Sequence, residues 1–283
     1  MLFTPLSLGG WSISHRVVMA TPPRHRARPD GLPTALMAQH HGQRASAGGL
    51  VISEPITVQR DAPTSSEAPG LYTSQQANLW RQVTDAVHQR GGLMLAQLGP
   101  GLPQAALDAQ ALDSLSEALR DAAELAGDAG FDGVELCAGD HAAAVADLLP
   151  ALIGVWGGDR VGLGLGPGQA CAAAAAMTAQ RWPGIAYLRL SGPALPEDEC
   201  LKQLRHLGGA ALLVCGDHSP ADAVAALERG RVDALSFELA FVANPDLPQR
   251  LRRGAALAEP DRATLHQGGA HGYTDYAALD TPT

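Results

Sequence analysis

The stretch "GVELCAGDHA", Gly133–Ala142, is an apolar run that breaks abruptly into small and polar residues. An apolar run this short, bounded in this way, reads as a buried strand, "GVELC", entering a loop. Just upstream, "SLSEALRDAAELAGDAG" (Ser114–Gly130) has helical periodicity and a terminal glycine. Ser114 and Glu117 stand at the spacing of a capping box, which predicts a helix start at Ser114. Just downstream, "RVGLGLG" (Arg160–Gly166) reads as the next strand. Helix, strand, loop, strand is the unit from which parallel sheets are wound.

Working outward, the same alternation fills the chain. "HRVVMA" (His15–Ala20), "GLVISEP" (Gly49–Pro55) and "LMLAQL" (Leu93–Leu98) read as the first three strands. "IAYLRLS" (Ile185–Ser191), "AALLVCG" (Ala210–Gly216) and "VDALSFEL" (Val232–Leu239) read as the last three. Helices are predicted over Thr34–Gly48, over Ser74–Gly92 with Ser74 as N-cap, and over Ala170–Arg181. Eight β/α units in 283 residues predict a single-domain TIM (β/α)8 barrel over residues 1–283, with an open doubly wound sheet as the alternative. No linker, low-complexity tract or repeat array divides the chain. "RDAPTSSEAPG" (Arg60–Gly70) is expected to be a long loop, and the last residues a loose tail.

A formal net charge of −9 argues against nucleic acid and anionic membrane as partners and offers phosphorylated cofactors no general attraction. Cys137, Cys171, Cys200 and Cys215 are far apart, so they read as small buried hydrophobes in a reducing compartment. No apolar run approaches the ~18 residues of a membrane span, and the N-terminus carries no basic leader. A cytoplasmic location is expected. The partners expected are a small-molecule substrate and, for assembly, a second copy or a pathway protein.

Function in such a barrel sits at the C-terminal ends of the strands. That places Thr21–Arg24, Glu54, Gln97, Cys137–His141, Gly164–Gly168, Arg189, Asp217, His218 and Glu238 at the mouth. Asp140 reads as a general base with His141 beside it, or as a cap for a helix starting at Ala142. Cys137 is a nucleophile or a buried strand residue. Glu238 is a catalytic acid or a solvated loop charge. Arg189, alone in an apolar strand, is paired in the mouth or binds an anion. Asp217 and His218 form a turn or an acid/base pair, and His40–His41 read as surface or core. Trp156, in the apolar text after Ala142, joins Gln97, Cys137, Glu54 and His218 as a substrate-binding candidate. "GLGLGPG" lacks a clean phosphate-loop spacing, and no cluster has metal-ligand spacing.

The texts "LFTPLSLGGWSISHRVVMA" (Leu2–Ala20), "DGLPTALMAQHHGQRASAGGLVISEP" (Asp30–Pro55), "AGFDGVEL" (Ala129–Leu136) and "GRVDALSFELAFVANPDLP" (Gly230–Pro248) resemble the Old Yellow Enzyme family of flavin-dependent ene-reductases along nearly the whole chain. The resemblance implies a barrel capped by an N-terminal β-hairpin at Leu2–Ser14, and an FMN that passes hydride from NAD(P)H to activated C=C bonds. It also implies a site that this chain has altered. Cys137 and Asp140 stand where the family's substrate-gripping His-x-x-Asn pair stands, and Ala142 replaces the proton-donating tyrosine. Pro23 and Pro55 replace flavin-side residues, and Gly164 replaces the arginine that faces the flavin ring. Gly216–Asp217 replaces a glycine pair, and Glu238–Leu239 replaces the Gly-Arg of the phosphate site. Only Gln97 stands unchanged. The segment before Ser114 and the text between Ala142 and Arg160 are short, which predicts a reduced capping segment and a reduced fourth helix.

These losses predict a flavin-independent barrel with no cofactor and no metal. Its vacated pocket would serve a non-redox enzyme, a cyclase, isomerase or dehydratase, with Asp140, His141, Glu238 and Arg189 as catalytic groups. The alternatives are a non-catalytic binding subunit and an FMN-dependent NAD(P)H ene-reductase with an atypical site.

Overall fold

In the computed structural model, which describes residues 1–61, 65–99, 108–139, 145–166, 184–192, 201–202, 204–205, 210–216 and 220–279, eight parallel strands close into a barrel. A two-stranded hairpin comes first: β1 (Leu6–Leu8) and β2 (Trp11–Ile13), antiparallel. The barrel strands are β3 (Val17–Ala20), β4 (Leu50–Ile52), β5 (Leu93–Leu98), β6 (Gly133–Gly139), β7 (Val161–Leu165), β8 (Tyr187–Ser191), β9 (Ala211–Cys215) and β10 (Ala234–Phe237). They run in sequence order around the barrel, with β10 pairing back onto β3. The fold is the TIM barrel that the alternating text predicts.

The strands are apolar on both faces because each is covered twice. Outward residues such as Val17, Met94, Val134 and Leu188 pack under the helices. Inward residues Val18, Leu50, Ile52, Leu95, Tyr187, Leu213 and Ala234 form one cluster with Leu8, Trp11 and Ile13 of the hairpin. The hairpin therefore plugs the barrel at the end opposite the mouth. Trp11 Nε1 also donates to the Asp132 carbonyl at 3.1 Å, which ties the plug to the start of β6. Each buried side chain of this kind contributes about 1.5–3 kcal/mol by removal from water.

Two helix starts differ from the expectation. The helix before β6 begins at Ala109, not Ser114, because the Asp108 side chain accepts from the Ala111 N–H and caps it earlier. The helix Ser74–His88 is capped by Thr73, which accepts from Gln76 N. The fourth barrel helix is short, as expected: Val145–Trp156, 12 residues against the 20 of the helix before it. The predicted helix over Ala170–Arg181 lies outside the described residues.

The C-terminal segment is packed at Tyr273, and the last residues, 280–283, lie outside the described residues. Tyr273 is fully buried, its ring stacked on His40 with centroids 3.9 Å apart. The guanidinium carbons of Arg24 and Arg26 lie 5.0 and 4.9 Å from the ring centroid. Arg24 donates to the Leu265 and Gly272 carbonyls at 2.8 and 2.7 Å, and His40 Nδ1 bonds the Tyr273 carbonyl at 2.8 Å. Both histidines of the pair His40–His41 are thus core residues. The text could not reveal this, because the partners lie more than 200 residues apart.

The Tyr273 hydroxyl is buried with no hydrogen-bond partner. Its ring carries the contact and its oxygen does not. Tyr273→Ala is expected to cost about 3–5 kcal/mol of stability. Tyr273→Phe is expected to be neutral or stabilising. Urea unfolding of the two variants beside the parent checks both.

Candidate active site

The inward side of β7 decides what the barrel interior can hold. Its sequence, Val-Gly-Leu-Gly-Leu, puts glycine at both inward positions, Gly162 and Gly164. A Cβ on Gly162 would lie 2.2 Å from the Tyr187 ring. A Cβ on Gly164 would lie 2.8 Å from Glu135 Oε1 and 2.9 Å from Arg189 Nη2. Strand β7 is therefore a bare floor, and side chains from its two neighbours meet above it.

The meeting is between Glu135 on β6 and Tyr187 and Arg189 on β8. Arg189 donates through Nε to Glu135 Oε2 at 2.9 Å and through Nη2 to Oε1 at 2.6 Å, a bidentate pair. The Tyr187 hydroxyl donates to Oε2 at 2.9 Å, and Gln97 Nε2 on β5 donates to Oε1 at 2.7 Å. Arg189 Nη1 reaches Ser191 Oγ at 2.8 Å. Glu135 is fully buried and Arg189 is 4% exposed. Burial alone would lower the Arg189 pKa; the Glu135 carboxylate overrides this and holds it well above its ordinary value. Burial, and then Glu135, push the Tyr187 hydroxyl up, so it stays a donor. Removing one partner of such a pair leaves an uncompensated buried charge and costs about 3–5 kcal/mol.

Around this network lie the other mouth residues. Cys137 is half-buried on β6 and in register with Gly164. The pairing of β6 with β7 slips between Cys137 and Gly139, a bulge at the barrel rim that re-aims the strand end. Cys215 ends β9 and donates from Sγ to Glu238 Oε1 at 3.2 Å. Burial, and then Glu238, push the Cys215 thiol up to about 12, so it is not a thiolate at neutral pH. Glu238 follows β10 and precedes the short helix Leu239–Ala243.

The structure thus brings Gln97, Cys137, Arg189 and Glu238 to the mouth. It does not bring Trp156 there. That side chain closes the fourth helix on the barrel's flank and donates from Nε1 to the Ala123 carbonyl at 3.0 Å, so it is a helix-packing residue. Glu54 is fully buried, its Oε2 accepting from the Arg24 and His25 N–H groups at 2.9 and 3.2 Å. It shapes the loop after β3 and offers a substrate no accessible oxygen. Asp140, His141, Asp217 and His218 lie outside the described residues. Among the described residues no group of histidine, cysteine and carboxylate side chains could hold a metal. Glu135, Tyr187 and the reason for the β7 glycines were missed. A carboxylate in "GVELC" and an arginine in "YLRLS", both inward by alternation, were the available signal.

The barrel has counterparts among known proteins. Residues 1–119 match the NADH:flavin oxidoreductase / NADH oxidase family. The flavin oxidoreductase hxnT of Emericella nidulans is 29% identical across 97% of each chain, in an alignment 377 residues long against the 283 of this chain. A 12-oxophytodienoate reductase-like protein of Solanum lycopersicum is 25% identical over 99% of this chain and 96% of its own. The solved structure of morphinone reductase superposes with a TM-score of 0.89 at 30% identity, covering 99% of this chain and 96% of that one. The chain belongs to the NADH:flavin oxidoreductase / NADH oxidase family, whose Old Yellow Enzyme features its text carries.

These relatives overturn the expectation of a flavin-independent cyclase, isomerase or dehydratase. Along the whole chain the similarity is to flavin oxidoreductases and reductases, and one solved morphinone reductase holds tetrahydroNAD. The expectation of no cofactor falls with it. The error has a physical source. Position by position, Gly164 is the loss of a guanidinium, because sequence alone does not show what a neighbouring strand supplies. The structure puts a guanidinium over Gly164, delivered from the neighbouring strand.

Burial raises the Glu54 carboxyl to about 7, against the lowering effect of its two backbone donors and of Arg24 and Arg26. A carboxyl with a raised folded pKa binds its proton more tightly when folded, so its stabilising contribution is complete below about 4.5 and is lost as pH rises through 7. His41, lowered to about 4 by burial, acts in the opposite sense over part of that range. The difference in unfolding free energy between the parent and Glu54→Gln isolates the carboxyl. That difference is expected to move against the parent from pH 4.5 to 7, by up to about 3 kcal/mol.

Proposed function

We propose that this chain is an FMN-dependent oxidoreductase that takes reducing equivalents from NADH or NADPH and passes them to a small unsaturated carbonyl compound. The observation that carries the reading is the full-length similarity to morphinone reductase and other flavin oxidoreductases, together with a mouth that still presents an amide and a guanidinium. At the ring end the residues fit a flavin. Gln97 and Arg189 are oriented by one buried carboxylate, and their donors suit the carbonyl and nitrogen acceptors of a pyrimidine ring. A bound flavin would supply the hydride chemistry. The chain's own groups orient the ring, keep water from its buried side and, through Asp140 and His141 after β6, move a proton on the substrate side.

The phosphate end differs. Glu238 and Leu239 stand where the family's Gly-Arg stands, so a carboxylate replaces a guanidinium. A carboxylate about 4 Å from a phosphate charge costs roughly 4 kcal/mol at an effective dielectric near 20. FMN in this chain is therefore held mainly by its ring and exchanges with solution.

Two outcomes are expected. Purified protein supplied with FMN oxidises NADH or NADPH faster when 2-cyclohexenone is added, followed by loss of nicotinamide absorbance; no FMN-dependent turnover at saturating FMN would overturn the reading. Combining Glu238→Gly with Leu239→Arg lowers the FMN dissociation constant at least tenfold, measured by equilibrium dialysis.

A further inference from the structure

We infer that Arg189, on β8, is the cation that faces the flavin ring in this chain, and that the bare inward side of β7 exists to admit it. The inference rests on the proposed flavin dependence and names the residue that serves it. Four observations carry it. Arg189 and Gly164 are register partners on adjacent strands, so they sit at one level of the barrel. A Cβ at Gly164 would lie inside contact distance of Arg189 Nη2, so the position the guanidinium occupies is the one a β7 side chain would take. Gly162 yields to Tyr187 in the same way one layer deeper. Finally, Glu135 holds Arg189 and Gln97 together, and Gln97 stands where the family resemblance places a flavin-contacting glutamine.

The chemistry of the pair suits a ring that changes charge. A guanidinium has five N–H groups. Three of those on Arg189 are used, two on Glu135 and one on Ser191. The remaining N–H groups belong to Nη1 and Nη2, the end of the side chain away from the β8 backbone. Glu135 neutralises the pair as a whole, while Nη1 reaches Ser191, two residues nearer the mouth end of β8. A flavin gains negative charge at the N1–C2 carbonyl edge on reduction, and a fixed cation there stabilises the reduced form. The reverse placement, an arginine on β7 with a small residue on β8, would fill the same space, so the two positions behave as one site occupied from either side.

The test uses FMN and riboflavin, which share the ring and differ in the phosphate. Binding is read by quenching of flavin fluorescence, and the two-electron reduction potential by spectroelectrochemistry. Arg189→Gln combined with Glu135→Gln removes both charges and leaves no buried ion alone. It is expected to weaken both ligands at least tenfold, by the same factor, and to lower the potential. Gly164→Ala keeps both charges and displaces the guanidinium, with the same direction expected. Gly164→Arg combined with Arg189→Gly moves the guanidinium to β7 and is expected to bind better than Gly164→Arg alone. Equal binding and an unchanged potential in Gly164→Ala would overturn the inference while leaving the flavin reading intact. So would a loss confined to FMN, which would place Arg189 at the phosphate. If the parent binds neither ligand, the proposed function itself fails.

Discussion

A carboxylate and a guanidinium meet inside this barrel across a strand that has no side chains in the way. Glu135 on β6 and Arg189 on β8 flank β7, and a side chain on β7 would occupy the space in which they meet. The contact exists because β7 is glycine at both inward positions. Given that, the rest of the upper barrel follows. Tyr187 turns its hydroxyl onto the same carboxylate, and Gln97 donates to it from β5. Three strands, β5, β6 and β8, are thereby cross-linked by one buried side chain, and the mouth inherits a fixed amide and a fixed cation.

The energetics make this arrangement exacting. Two buried charges cost several kcal/mol each in desolvation, and their attraction compensates only when the geometry is good and every acceptor is satisfied. Here both Glu135 oxygens accept two bonds each. The barrel therefore resists drift at this level, and a group bound above it meets a preorganised surface. The second buried polar cluster has another task. Arg24, Arg26, His40 and Tyr273 bind the C-terminal segment to the loop after β3 and to the first helix. Glu54 joins that cluster through the backbone of Arg24 and His25.

Much of the fold was legible in the text because the signals for it are local. Apolar runs, periodic helices and terminal glycines placed all eight barrel strands, the family resemblance implied the hairpin, and the errors were at caps such as Asp108, where two polar residues competed to start a helix. The site was less legible because its logic is between strands. Arg189 was visible as a charge in an apolar run, but whether it paired inward depended on β7 being bare. Gly164 was visible as a departure, but a departure at one position says nothing of which neighbour fills the space. Trp156, in the apolar text after Ala142, was expected among the substrate-binding residues; the structure packs it against the preceding helix, where its Nε1 donates to the Ala123 carbonyl. Tyr273 could not be foreseen as core, since nothing in "HGYTDY" shows the arginines that cover it.

The central claim is that the mouth above Glu135 and Arg189 is a flavin-ring site whose phosphate end has been weakened. A crystal structure of the protein soaked at saturating FMN tests it most directly. The account predicts a ring bound at the C-terminal ends of the strands, its pyrimidine edge within hydrogen-bond distance of Gln97 and Arg189, and its phosphate displaced from Glu238. A ring bound elsewhere, or a mouth left empty under conditions that saturate binding in solution, would contradict it.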